Sequence, residues 1–230
     1  MKTICLIVSI CLTTTLLAQS DAPKTCSPST DIKTQPRTAV KHRKTSLANP
    51  QQTSVPEILN WTIPAKIGLR QTRTSETTID DHENGVYIFE GSLWRIGLEG
   101  NDCDLHLELA DVGKGNKANR VIVEIPKEDE DARNKLLAAL SKADRDKLLN
   151  LTPDAHRNYR AMNLKDSVHL RVTGLGFFDT HHYVVNWQNS LGGNCKFTPP
   201  QVHKRGNNHG TCAVGTVWEL HPAWSVEVVQ

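Results

Sequence analysis

Between residues 86 and 98 the chain alternates. Tyr87, Phe89, Gly91 and Leu93 fall on one side, and a mixed set with Trp94 and Ile96 on the other, the period-two pattern of a strand. A second run, residues 103–109, sends Cys103, Leu105, Leu107 and Leu109 one way. The turn-forming residues 111–116 separate it from a third strand, residues 120–125, which Pro126 ends. The period then changes. Acids at 128–131 favour the positive end of a helix, and Leu136, Leu137, Leu140, Ala143 and Leu148 form one apolar stripe at helical spacing. Thr152-Pro153 reads as the N-cap and first residue of a short second helix. Strands resume at residues 168–173 and 216–229. Three strands, a helix and two strands predict a mainly β (α+β) domain, a small five-stranded OB-like barrel with a helix between strands 3 and 4.

The segments before this domain read differently. Lys2 precedes an apolar run over residues 4–17, and Ala18 and Ser20 supply the small residues of a cleavage site. Residues 1–20 are therefore expected to be a secretory signal peptide, with a secreted or periplasmic product. The run is shorter than the roughly 20 residues of a membrane span, so no transmembrane segment is expected. Residues 21–80, rich in Thr, Ser, Pro, Lys and Gln, read as a mostly disordered basic linker. An apolar patch within it (Ile58, Leu59, Trp61, Ile63) is expected to dock on the domain, residues 81–230. An insertion at about residues 183–214 precedes the last strand.

Charge sharpens this division. Residues 21–80 carry nine Lys and Arg against five Asp and Glu, whereas residues 81–230 carry 17 against 20. A mildly acidic domain argues against generic binding to a phosphate backbone. Cys26, Cys103, Cys195 and Cys212 lie beyond the signal, and an oxidising compartment favours disulfides among them. Cys195 with Cys212 would close the insertion, and Cys26 with Cys103 would tie the tail to the domain. With His203 and His209, Cys195 and Cys212 also offer a zinc alternative.

Asp102, Asp104, His106 and Glu108 share one face of the second strand, opposite a wholly apolar face. Carboxylates and an imidazole in a row suit a divalent cation, or a carboxylate–histidine pair for general base work. They also suit a plain solvated face. Asp179, His181 and His182 follow a glycine-rich stretch read as a turn beyond the fourth strand, and Glu219-Leu220-His221 repeats the spacing of Asp104-Leu105-His106. Glu124 interrupts an otherwise apolar strand and needs a partner if buried, with Arg171 the candidate.

The run Asp102-x-Asp104-x-His106-Leu107, with Val123-Glu124-Ile125-Pro126, Gly176-Phe177-Phe178-Asp179-x-x-His182 and Glu219-Leu220-His221-Pro222, resembles an uncharacterised family of secreted bacterial proteins. The resemblance covers roughly residues 86–229 and implies that Asp102, Asp104, His106, Glu124, Asp179, His182, Glu219 and His221 form one site. The chain departs from the pattern at Tyr183, where a glycine is usual, and in its longer insertion. In architecture and compartment it is also similar to staphylococcal-type OB-fold nucleases, which set acids and arginines around calcium; Arg95 and Arg171 are candidates for the arginines.

Two functions follow as expectations. The first is a divalent-metal site, calcium or zinc, in a hydrolase for phosphodiesters. Asp104, His106, Asp179, Glu219 and His221 would be the ligands, and Glu124 and His182 the catalytic acid–base groups. The alternative is a non-catalytic module binding nucleic acid, an oligosaccharide or another anionic polysaccharide. In that case the basic run Lys41, His42, Arg43 and Lys44 would help hold the polymer.

Overall fold

The structure is a computed structural model that describes residues 37–62, 64, 77–99, 102–111, 120–151, 160–180, 205–206, 212–214 and 216–229. In chain order its strands are β1 (Gln51–Gln52), β2 (Val86–Leu98), β3 (Leu105–Ala110), β4 (Arg120–Ile125), β5 (Arg160–Phe178), β6 (Arg205–Gly206), β7 (Cys212–Val214) and β8 (Trp218–Val228). Its α-helices are α1 (Thr38–Lys41), α2 (Val55–Leu59), α3 (Glu130–Ala139) and α4 (Lys142–Leu149). The protein is mainly β with α+β character, as the element order predicts. No helix among the described residues is long and apolar enough to cross a membrane.

The main sheet has six strands where five were expected, in the order β1-β2-β3-β4-β8-β5, and β2 pairs with β5 as well. It is mixed: β1–β2 and β4–β8 run parallel, and the other pairs antiparallel. The sixth strand comes from the stretch read as linker. Gln51 and Gln52 are both exposed, so β1 leaves no apolar alternation to read.

β5 is far longer than residues 168–173, because it pairs with β2 along one side and with β8 along the other. The glycine-rich stretch at 174–176 is not a turn but lies within this strand. A Cβ on Gly174 would stand 2.8 Å from the Pro222 carbonyl oxygen and 2.9 Å from the Ala223 Cα. Only glycine lets β8 approach so closely at the register shifts between these strands. The single helical stripe is also two helices. Ser141 is the N-cap of α4, accepting from the Asp144 N–H at 3.1 Å and donating its hydroxyl to the Asp144 carboxylate at 2.9 Å, so a new helix starts there after α3 has ended. Thr152-Pro153 lies outside the described residues.

Leu105, Leu107 and Leu109 of β3 pack with Val121, Val123 and Ile125 of β4, Trp218 and Leu220 of β8, and Leu136 and Leu137 of α3. Each such side chain contributes roughly 1.5–3 kcal/mol on burial. The segment before the sheet joins this core: Val55 and Ile58 are buried, and Leu59 and Trp61 pack against it. Ile63 lies outside the described residues. Cys103 is half of a disulfide; Cys26 and Cys195 lie outside the described residues, and so do His203 and His209.

Candidate metal centre

Alternation along β3 sends its leucines into the core and therefore turns Asp104, His106 and Glu108 to the other face. Register does the rest. His106 stands opposite Glu124 of β4, and the β4–β8 pairing of Val123 with Leu220 sets His221 beside Glu124. One row, His106–Glu124–His221, thus crosses three neighbouring strands on the face away from the leucines. On an ordinary outer face these groups would be solvated. Here Asp104 and His221 are fully buried, and Asp102, His106, Glu124 and Glu219 are nearly so.

Glu124 faces an imidazole with each oxygen. The His106 Nδ1–H donates to its Oε1 at 3.0 Å. His221 Nδ1 faces its Oε2 at 2.7 Å in a buried ion pair. The other ring nitrogen of His221 donates to Asp104 Oδ2 at 3.1 Å, and Glu219 Oε2 is 3.7 Å from Nδ1. Asp104 also accepts from the Lys127 backbone N–H at 3.0 Å. Asp104, Glu124 and His221 offer ligand atoms all within 4.8 Å of one another. So do Glu99, His106 and Glu124, and so do His42, Asp102 and Asp104. Asp104 and Glu124 each belong to two of these groups, which makes the three a continuous chain.

The electrostatics follow from burial and from these neighbours. Burial works against charge on His221, but Glu124, Asp104 and Glu219 outweigh it and hold the imidazole well above its usual range. Burial likewise opposes ionisation of Glu124. The charge of His221, the hydrogen bond from His106 and the charge of Lys41 overcome it and keep the carboxylate well below its ordinary value. Asp102 goes the other way: burial, then repulsion from Asp104 and Glu124, push it up to about 6. Its unfolded value is near 3.8, so the folded state binds the extra proton between these limits, and ionised Asp102 costs stability that grows as pH rises from about 3.8 to about 6. Asp102→Asn is expected to stabilise the protein by about 1–3 kcal/mol at pH 7 and by nothing below pH 4. Urea unfolding at both values checks this, and no gain at pH 7 would contradict it.

Among the expected ligands, the structure brings Asp104, His106, Glu219 and His221 together, with Glu124 between the imidazoles. Asp179 follows β5 and is buried, and its charge acts on Lys41. His182 lies outside the described residues. The expected Glu124–Arg171 pair does not form. Arg171 binds Glu90 at 2.6 Å and Glu227 at 3.4 Å, because cross-strand register sets it opposite both. Arg95 pairs with Glu108 at 3.1 Å, as does Arg120 at 3.0 Å.

Comparison of the chain with known protein families, with curated proteins and with solved structures finds no match.

Sequence reasoning missed the groups that arrive from the N-terminal segment. The Lys41 ammonium stands 5.7 Å from the centre of the Phe177 ring and feels the charges of Glu124, Asp102, Asp179 and Glu219. Burial opposes its charge, but the four carboxylates hold it well above the usual lysine range. The His42 ring meets that of His221 edge-on at 6.1 Å. The run Lys41–Lys44 is visible in the sequence as a basic patch, yet nothing in its composition says that it faces inward.

Proposed function

We propose that this chain is an exported metal-binding protein whose centre is Asp104, Glu124 and His221, extended by His106 and Glu219. The observation that carries this reading is the convergence at its middle: ligand atoms of Asp104, Glu124 and His221 all lie within 4.8 Å of one another, and the three side chains are buried. A cation bound there would replace the proton that the imidazole now holds between the two carboxylates. Two imidazoles among carboxylates favour zinc over calcium, which prefers oxygen alone.

The reaction such a centre supports is hydrolysis, with a phosphodiester as the expected substrate: a bound cation lowers the pKa of water and polarises a phosphoryl oxygen. His182, from the sequence pattern, is the acid–base group of this reading, while Glu124, which the sequence pattern also made catalytic, is here a ligand. The strand order β2-β3-β4-β8-β5, with β5 returning to β2 and β4 parallel to β8, supports reading these five strands as an OB-like barrel with β1 added at its margin. The resemblance to the secreted bacterial family belongs to the same proposal.

Elemental mass spectrometry of the purified, untagged protein tests it. Near-stoichiometric zinc, or uptake of one equivalent on titration, is expected, with loss in Asp104→Asn/His221→Gln while the circular dichroism spectrum stays native. Retention of metal in that variant, or no uptake of any divalent ion by the unaltered protein, would overturn the centre. Turnover of bis(4-nitrophenyl) phosphate by the zinc-loaded protein then tests the reaction class separately.

A second reading, a binding module, has its own observation. An open cleft of about 440 Å³ is lined by Gln51, Gln52, Asn60, Trp61, His82 and Tyr87 among others. Amides beside aromatic rings suit a sugar or a base. Trp61→Ala lowering retention on a polysaccharide column, with metal content unchanged, would favour it.

A further inference from the structure

The cleft of about 440 Å³ shares no residue with the metal centre, and three elements build it. β1 lies parallel to β2, which sets Gln51 opposite Tyr87 and leaves both glutamines of β1 exposed. Ser54 caps α2 and Pro56 sits in its first turn, so the helix starts directly after β1 and brings Glu57 and, at its C-cap, Asn60 to the cleft. The third element is the 3-10 turn Asp81–Asn84. Asp80 caps it, accepting from the His82 N–H at 2.9 Å and meeting His82 Nδ1 at 2.6 Å. The neutral imidazole therefore carries its proton on Nδ1 and keeps Nε2 as an acceptor. Half-buried Trp61 joins these parts into one wall. Its ring lies 4.5 Å from that of His82, 4.7 Å from that of Tyr87 and edge-on to Trp218 at 5.4 Å.

We propose that this cleft binds an uncharged sugar unit of a glycan, laid against the Trp61–His82 wall, with its hydroxyls read by Glu57, Asn60, His82 and the glutamines of β1. This rests on the reading of the cleft as a binding module and names its ligand; it does not depend on the metal centre. Charge decides between a sugar and a base. The lining holds one carboxylate, Glu57, and no lysine or arginine. Asp80 stands against His82, and Asp81 is its neighbour in the turn. Tyr87 registers the same field, since burial and then Asp80 and Asp81 raise its phenol. A nucleic acid or an acidic polysaccharide would bring negative charge to a place with no cation to meet it, whereas single strands are held in positively charged grooves. A neutral sugar brings none. Hydrogen bonding points the same way. Glu57 Oε2 accepts from the Thr53 hydroxyl at 3.2 Å and the Ser54 hydroxyl at 3.0 Å, and the Asn60 side-chain amide donates to the Pro56 carbonyl at 2.8 Å. Both side chains are thus oriented. Glu57 Oε1, Asn60 Oδ1 and His82 Nε2 make no hydrogen bond to the described residues. These are acceptors, and the exposed amides of Gln51 and Gln52 add donors. Sugar hydroxyls do both, and the apolar face of a sugar ring packs on an aromatic one.

Calorimetric titration of the full chain with cellotriose, maltotriose and tri-N-acetylchitotriose, and with trigalacturonic acid and a thymidine hexanucleotide as charged counterparts, tests this. At least one neutral trisaccharide is expected to bind and neither anion to do so. Trp61→Ala should weaken that binding by about tenfold or more, and treatment with EDTA should leave it unchanged. Trp61 also packs against the core, so Gln52→Ala/Asn60→Ala, which alters two exposed side chains, supplies a second variant; it too should weaken binding, by about fivefold or more. Neutral-sugar affinity equal in the unaltered protein and in both variants, or in the double variant alone if Trp61→Ala does not fold, would place the sugar elsewhere and overturn the proposal. Loss of sugar binding on EDTA treatment would overturn it in favour of the metal centre. Binding of an anion and of no neutral sugar overturns the sugar and leaves a binding module standing. Binding of none of the five probes overturns both.

Discussion

Replacing Glu83 by alanine is expected to cost the fold about 3–5 kcal/mol, the range for breaking a buried ion pair from one side. Glu83 sits in a 3-10 turn, Asp81–Asn84, and is fully buried with its partner Arg37. Its two oxygens accept four hydrogen bonds: from Arg37 twice, from the Ile79 N–H at 2.7 Å and from the Phe178 N–H at 2.9 Å. Alanine removes all four and leaves a guanidinium that cannot shed its charge in an apolar setting. Arg37 is also held in the left-handed region, at φ 64°, a conformation this pairing has to enforce. Chemical denaturation measures the loss directly, and the melting temperature should fall by roughly 6–20 °C. The double variant Glu83→Ala/Arg37→Ala should lose clearly less than the sum of the single variants, because removing both charges leaves neither stranded. A loss below 1 kcal/mol in Glu83→Ala would show that Arg37 is not anchored as described.

The second large effect is expected at Glu124, and it depends on pH. Glu124→Leu removes the acceptor of His106 and the main partner of His221 and Lys41, all inside the protein. About 3–5 kcal/mol of stability should be lost at its maximum. His221 is raised in the folded state, so the stability it gains from Glu124 is complete below its unfolded value near 6.5 and is lost as pH rises through the raised folded value. Glu124 is lowered, so its share is complete above about 4.5 and is lost as pH falls through the depressed value. The penalty for Glu124→Leu should therefore be greatest between pH 4.5 and 6.5, where the His221 imidazolium and the Glu124 carboxylate are both fully charged in the unaltered protein. Urea unfolding of both proteins across pH 4 to 10 would trace this. A penalty independent of pH would mean that Glu124 acts by packing alone. Metal binding should be abolished at every pH, which separates the two roles of the residue.

The spacing of residues along the chain was enough for β2, β4 and β8, which begin and end within two residues of their predicted limits. It was enough for the division of β3 into a leucine face and an Asp104–His106–Glu108 face. Period-two alternation reports which side chains share one face of one strand, and that is a local property. It also placed Glu219 and His221 on a common face. The parting of α3 from α4 was within reach, since Ser141 and Asp144 have capping-box spacing, but the continuous leucine stripe masked it.

Other features had no local signature. Glu124 finds His106 and His221 only because β4 lies between β3 and β8, and His221 is 97 positions further along the chain than Glu124. Neighbour order in a sheet is a matter of topology, which alternation within a strand does not encode. The same reason took Arg171 away from Glu124 and gave it to Glu90. Burial of the polar face of β3 was equally hidden, because its cover comes from a Lys- and Arg-rich stretch whose composition matches that of a solvated linker. The sequence by itself determined which acids and histidines were presented, and on which face of each strand. The tertiary structure decided that they meet in one row and that His42 of the N-terminal segment meets them there, because register between distant strands and the docking of a remote segment are set by global packing.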